Sequence, residues 1–378
     1  MALQFNPKIR VAVVHDILIQ YGGSERVLEQ ILKIFPGSDL FTLYFNKADV
    51  TLRTSFQENN PKTSLLQDIP YLYKLNKYFS LFKIFSWIWF YRINTAPYDI
   101  IITSSGSFNA KAIRTKPNQL HLCYLYTPPK YLYDEYNELH FIKRFPFNFF
   151  FSPVIGLLRY LDQLSAHFPD IMIACSKTVQ KRIFNYYERE SSIIFPPVYV
   201  PQDVKVGKKI YYVFHSRLVS QKGLMLAVHT CTAFNLPLVV IGEGHEKKRA
   251  QRIAGPTIRF LGRVSDQKLH SIYAHAKALI YCSIDEDFGI VPVESMAFGV
   301  PVVAFKSGAT QETVIDKKTG VFFRSFTPLS LVRAIKKLET LSIDPSACFN
   351  QAKKFSYEKF QKKFVSLLLQ FGFANRKP

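Results

Sequence analysis

Several things are missing from this 378-residue chain. Its five cysteines, at 123, 175, 231, 282 and 348, show no close pairing and no C-x2-C spacing. That argues against a disulfide framework or a zinc site and makes a reducing compartment the simpler expectation. The opening residues, MALQFNPKIR, lack a secretory h-region, so the expected location is cytoplasmic. No internal repeat is evident, and no apolar run reaches the length of a membrane-spanning helix. Acidic residues are scarce, 28 against 49 basic ones, for a formal charge of +21. The excess is spread over the chain and is not carried by one tail. Such a field favours polyanions or anionic bilayers and says nothing of fold. No basic run is interleaved in the manner of a nucleic-acid module, so nucleic acid is not an expected partner.

What is present is a globular composition, 48% hydrophobic, on a chain long enough for two domains. Strand and helix patterns alternate twice over, which predicts an α/β protein with two parallel sheets. In the first part, Ile9–Val14 reads as a buried strand ending in His15-Asp16. The loop Tyr21-Gly22-Gly23-Ser24-Glu25-Arg26 follows, with a helix from about Ser24 to Phe35. Further strands are expected at 100–102, 121–126 and 171–174, and in the second part at 211–214, 238–241, 258–260, 278–281 and 301–304. Two prolines at 196 and 197 remove donors and stiffen a linker between the halves. Ligands of open α/β sheets gather at the C-terminal ends of strands, so both halves are expected to contribute loops to a cleft.

The most informative run is Glu286-Asp287-Phe288-Gly289-Ile290-Val291-Pro292-Val293-Glu294, continuing SMAFGVPVVA to residue 304. Gly289 and Pro292 mark a loop, 293–299 a short helix and 301–304 a buried strand. That places Glu294 in a first helical turn, where backbone N–H groups favour an anion nearby. A carboxylate on each side of an amide-rich helix start suits a ligand with hydroxyls and phosphates, such as a nucleotide sugar. Arg217 follows a strand and Lys222 comes five residues later. A guanidinium grips phosphate oxygens bidentately, while an ammonium acts as a point charge. Gly22 and Gly23 permit close backbone approach to a ligand.

The Glu286-to-Glu294 run resembles the E-x7-E element of the retaining glycosyltransferases of family 4, and the resemblance covers nearly the whole chain. It includes Gly22-Gly23-Ser-Glu-Arg-Val, Ser216-Arg217-Leu218 with Lys222, Gly242-Glu-Gly244, Gly262-Arg263-Val264 and Gly308-Ala-Thr-Gln-Glu-Thr-Val. It implies a GT-B fold: two Rossmann-like domains with parallel sheets facing a central cleft. Residues 1–195 would form the acceptor-side domain, 196–354 the donor domain, and 355–378 a helix crossing back to the first. The implied reaction is metal-independent transfer of a hexose, with retention, from a nucleotide-diphospho-sugar, and no cofactor. Electrostatic stabilisation of the departing diphosphate by Arg217 and Lys222 would be its largest catalytic contribution. By the same resemblance Glu286 faces the transferred sugar, Glu294 accepts from the ribose hydroxyls, and the backbone of Phe288, Gly289, Ile290 and Val291 lines the sugar and diphosphate. Gly22 and Gly23 touch the donor, and Arg263 and Val264 form the edge that meets the base. Asp285-Glu286-Asp287 also spells D-x-D, a metal-binding pattern elsewhere, but its place at the head of E-x7-E fits the metal-independent class.

The stretch from Cys123 to Asp134 resembles a family element written Tyr-x-His-Thr-Pro-x-Arg-Tyr. Here Tyr126 stands where the histidine is expected and Lys130, on the acceptor side, replaces the arginine. Tyrosine still donates a hydrogen bond but does not become cationic. His121 is a poor substitute, because residues 121 and 126 of a strand point to opposite faces. The element is closest to mannosyltransferase-like members, which implies a GDP-sugar, with a UDP-sugar as the other candidate donor. A glycan or polyprenyl-linked acceptor in surface-polysaccharide assembly completes the expectation. Two aromatic-basic stretches, 71–92 and 141–151, either dock on an anionic membrane surface, giving a peripheral location, or pack as buried helices. The alternatives carried forward are another GT-B reaction type and a catalytically silent nucleotide-sugar-binding subunit.

Overall fold

The computed structural model describes residues 9–69, 83–107, 109–133, 147–202 and 207–371. It divides into two compact units. One comprises residues up to 195 together with those from 361 onward, and the other residues 196–360.

The first unit is built on strands β1 (Val11–His15), β2 (Asp39–Thr42), β3 (Lys62–Thr63), β4 (Ile100–Ser105), β5 (Leu120–Leu125), β6 (Ile171–Ala174) and β7 (Ser192–Ile193). They form one parallel sheet in the order β3-β2-β1-β4-β5-β6-β7. Every residue of β4, β5 and β6 is buried, as a parallel sheet covered on both faces requires. Helix α1 (Gly23–Ile34) follows β1. Its buried positions Val27, Leu28, Ile31 and Ile34 recur at helical spacing and turn one face to the core. Helices α2 (Lys83–Tyr91) and α3 (Phe147–Ala166) cover the sheet farther along the chain. They are joined where Trp87 Nε1 donates to Ser165 Oγ at 2.7 Å.

The second unit repeats the plan with β8 (Tyr211–His215), β9 (Leu238–Ile241), β10 (Ile258–Gly262), β11 (Ala276–Tyr281), β12 (Val302–Phe305) and β13 (Gly320–Phe323). Again all strands are parallel, in the order β10-β9-β8-β11-β12-β13. Helix α4 (Leu224–Ala233) packs on this core through Leu224, Ala227, Val228 and Cys231. Helix α5 (Ile290–Ala297) lies between β11 and β12. The terminal helix α6 (Tyr357–Gln370) enters the first unit at residue 361, where Phe364 meets Phe35 edge to face.

The helix near Glu294 differs from expectation. The sequence places it at 293–299, yet α5 begins at Ile290, because Gly289 takes φ +84° as its N-cap. Pro292 then falls in the first turn, where its missing N–H costs nothing. Glu294 is therefore past the first turn, and buried. Of the two aromatic-basic stretches, 71–82 and 141–146 lie outside the described residues. The strands β2, β3, β7 and β13 were not foreseen.

Each sheet reverses its winding between its first and fourth strands in sequence: β1 and β4 in one unit, β8 and β11 in the other. At such reversals, the carboxyl ends of the strands are where ligands of open α/β sheets gather. Most of the candidate site residues follow these strands or their neighbours, whereas Arg263 and Val264 follow β10 at the edge of the second sheet.

Candidate active site

In the second unit the loop after β8 runs Ser216 to Lys222, and its last residues form a short 3-10 turn, Ser220–Lys222. Gly223, at φ +69°, closes that turn and caps α4. A Cβ there would lie 2.6 Å from Cys282 Cβ and from Cys282 O. Only glycine lets the two loops come so close, and the approach carries Lys222 to the loop after β11. Gly242 and Gly244 act likewise beside Arg217. A Cβ on Gly242 would stand 1.9 Å from Ser216 O, and one on Gly244 2.2 Å from Leu218 O.

At the meeting point Glu286 Oε2 accepts three hydrogen bonds, from Lys222 Nζ at 2.6 Å, from Tyr281 OH at 2.7 Å and from Ser283 Oγ at 2.5 Å. Lys222 also reaches Ser283 Oγ at 3.3 Å. Burial by itself would push the Glu286 carboxyl up. The adjacent ammonium and the three hydrogen bonds outweigh it and hold the group down at about 2. Glu286 is thus an ionised acceptor at neutral pH. All three donors converge on Oε2, which leaves Oε1 for hydroxyls of a ligand.

Two further features hold Glu286 in place. Asp285 adopts φ +51°, and its N–H donates to Ser307 Oγ at 2.8 Å. Gly308 packs so close that a Cβ would sit 2.4 Å from Glu286 O, which accepts from Ala309 N at 2.9 Å. Arg217 is exposed, and its guanidinium has no protein partner among the described residues. An exposed arginine on the same loop as Lys222 suits a polyanion.

The other donor-side residues follow β10 and β11. Gly289, Ile290 and Val291 form the cap and first turn of α5, with amides free of side-chain caps. Phe288 is buried edge to face against Phe355, so only its backbone is available. Arg263 is exposed and Val264 half-buried just past β10. There Gly262 O accepts from Gly242 N at 2.8 Å and ties that edge to the β9 loop.

In the first unit, Gly22 is the N-cap of α1 and Gly23 its first residue, with no side-chain cap. Tyr126, at the end of β5, bonds to Ser104 Oγ at 2.7 Å and donates to Ser24 O at 2.8 Å. Burial pushes its phenol well above 10. Asp16 closes the loop after β4 by accepting from Gly106 N at 2.7 Å and Ala110 N at 2.8 Å. Lys130 is half-buried at the head of a 3-10 turn, Lys130–Leu132. His121 is fully buried and far down the strand. Its imidazole is pushed down to about 3 by that burial, so it stays neutral. Sequence reasoning missed Tyr281, Ser283, Ser104 and Gly308 as supports. A serine or tyrosine at a strand end carries no distinguishing signal until the sheet order is known.

Comparison with known proteins agrees with this geometry. The chain is 26% identical over 212 residues to an uncharacterized glycosyltransferase of Methanocaldococcus jannaschii, covering 53% of this chain and 60% of that protein. It is 22% identical over 313 residues to the alpha-1,3/1,6-mannosyltransferase ALG2 of Candida glabrata, covering 66% of each. The chain thus spans less than two-thirds of the length of these relatives. Among solved structures, Anabaena HepE in complex with UDP and glucose superposes with a TM-score of 0.67 at 17% identity, over 96% of this chain and 100% of that one. The α/β architecture is that of the GT-B proteins. Residues 199–355, which hold the Lys222–Glu286 centre, match the family model for glycosyl transferases group 1.

Proposed function

We propose that this protein is a retaining, metal-independent glycosyltransferase that moves a hexose from a nucleotide-diphospho-sugar to a glycan or lipid-linked acceptor in surface-polysaccharide assembly. The observation that carries the proposal is the cluster at the β8–β11 switch point. An ionised Glu286 is held by Lys222, Tyr281 and Ser283, and an exposed Arg217 lies on the same loop as Lys222.

Arg217 and Lys222 would neutralise the diphosphate as it leaves, and the amides opening α5 would add donors for the same oxygens. Glu286, unable to serve as an acid at neutral pH, would fix the sugar's hydroxyls through Oε1. The sugar would pass through an oxocarbenium-like state, as glycosyl transfer generally requires. The cations already present supply the charge that a metal supplies elsewhere. The ALG2 relative supports mannose as the sugar, and the UDP bound by HepE supports a uridine nucleotide. A donor panel decides between them.

The acceptor's lipid end fits a peripheral site on the inner face of the cytoplasmic membrane. No helix among the described residues is long and apolar enough to cross a membrane. Helices α2 and α3 instead expose Phe85, Ile88, Val154, Leu157, Tyr160 and Leu164. Residues 69–98 and 139–161, which hold all of α2 and most of α3, contain no acidic residue, and Asp162 of α3 is buried against Lys111. Apolar faces flanked by lysine and arginine suit the headgroup zone of an anionic bilayer.

The test is turnover of UDP- and GDP-sugars by the wild type and by Arg217→Ala and Glu286→Ala variants. Activity on at least one donor, falling by about 10²-fold or more in each variant, is expected. Full activity in both variants would end the assignment.

A further inference from the structure

Tyr126 stands where the resemblance expects a histidine, and the hydrogens around it can be placed one by one. Ser24 O, 2.8 Å from the Tyr126 hydroxyl, is a carbonyl that only accepts. The tyrosine's single hydrogen therefore points at Ser24, and the 2.7 Å contact to Ser104 must be donated by the serine. With that hydrogen spent, the 2.9 Å contact between Ser104 Oγ and His15 Nδ1 requires Nδ1–H as donor. This places a hydrogen on Nδ1, while Nε2 lies 3.6 Å from Glu25 Oε1, an ion pair only when Nε2 carries a hydrogen as well. The other oxygen of Glu25 accepts from Ser24 Oγ at 3.0 Å.

The contacts form a ring, Ser24, Tyr126, Ser104, His15, Glu25 and back to Ser24, in which every link but the 3.6 Å His15–Glu25 approach is a hydrogen bond. His15, Glu25 and Ser104 are all buried. The ring draws on β1, β4, β5 and the first turn of α1. It grips the two residues that directly follow Gly22-Gly23. Those glycines carry no side chain to anchor themselves and lose the most backbone freedom on ordering. Their conformation has to be imposed by neighbours, and this ring is one neighbour in contact with the turn. A Cβ on Gly22 would already lie 3.2 Å from Glu25 Oε2.

We propose that the ring is a strap holding the Gly22-Gly23 turn over the carboxyl ends of β1, β4 and β5, and that Tyr126 is a positioning residue for that turn rather than a proton-transfer group. What the turn would hold, the phosphates or sugar of a donor, rests on the function proposed above. The strap itself does not.

The experiment is hydrogen exchange at amides 23–26 of the full chain, comparing wild type with Tyr126→Phe and Ser104→Ala. Exchange in Tyr126→Phe should rise about five-fold or more, the loss of roughly one hydrogen bond's net worth. Amides of β12 and β13 in the second unit serve as the control for folding and should not change. Nitrogen-15 spectra of wild-type His15 should show the hydrogen on Nδ1, and Ser104→Ala should shift that signal. Unchanged exchange at 23–26 in both variants would overturn the strap, as would a neutral ring protonated only at Nε2.

In turnover assays Tyr126→Phe should raise the donor KM and leave the shape of the kcat–pH profile intact. Loss of one limb of that profile would make Tyr126 a proton-transfer group and overturn its positioning role. If wild type turns over no nucleotide sugar, the proposed function fails while the exchange measurement still decides the strap.

Discussion

Replacing Lys222 with methionine keeps most of its bulk and removes the charge that faces Glu286. Both side chains are largely shielded, with 17% and 16% of their surface exposed, so solvent screens the pair only in part. Glu286 is held at about 2 against an ordinary 4.5. The group's folded value lies below its unfolded value. Its contribution to stability is therefore complete above about pH 4.5 and is lost as pH falls toward 2. A displacement of this size corresponds to roughly 3 kcal/mol.

In Lys222→Met the two hydroxyl donors remain, but burial favours the neutral acid. The carboxyl should then titrate near or above its ordinary value, and the acid-side loss of stability should vanish or reverse. Urea denaturation from pH 2.5 to 7, with carbon-13 titration of the Glu286 carboxyl, checks both points. At pH 7 the variant should be destabilised by about 2–3 kcal/mol, toward the low end for a broken buried pair because two hydrogen bonds survive. A wild-type Glu286 titrating near 4.5, or an acid limb identical in the two proteins, would refute the reasoning.

Two other outcomes are expected. Gly308→Ala should cost about 2 kcal/mol or more, because φ is +56° and the new Cβ would strike Glu286 backbone atoms at 2.4 and 2.6 Å. Thermal unfolding measures it, and a change under about 0.5 kcal/mol would show that the loop gives way freely. In the first unit, Lys111→Met should cost about 3–5 kcal/mol. Among the described residues, it strands a fully buried Asp162 with only the hydroxyls of Tyr133 and Tyr187, at 2.8 and 2.7 Å, as partners. Chemical denaturation showing less than about 1 kcal/mol would mean that those hydroxyls suffice.

Much of this architecture is readable from local pattern. The β-branched runs at 171–174, 238–241 and 301–304 stand out because a strand covered on both faces must be apolar throughout. The short edge strands do not stand out. Lys62–Thr63 and Ser192–Ile193 are two residues each and owe their extension to a neighbour in the sheet. The start of α5 was misplaced because Gly289 and Pro292 read locally as a break, whereas in place one is an N-cap and the other fills a donor-free first turn.

The motif residues Arg217, Lys222 and Glu286 could be named from spacing. Their grouping could not, since it depends on strand order β8-β11 and on the close approach that Gly223 allows. Tyr126 was legible as a departure, but its partners Ser104 and His15 lie on two other strands. No sequence window contains all three.

The central claim is that the second unit binds a nucleotide diphosphate through Arg217 and Lys222. Calorimetric titration of UDP and GDP against UMP and GMP tests it most directly, because the β-phosphate is the only difference within each pair. Tighter binding of one diphosphate than of its monophosphate, by about ten-fold or more, is predicted, with most of that difference lost in Arg217→Ala. Equal affinity for mono- and diphosphate, or a preference untouched by removing Arg217, would contradict it.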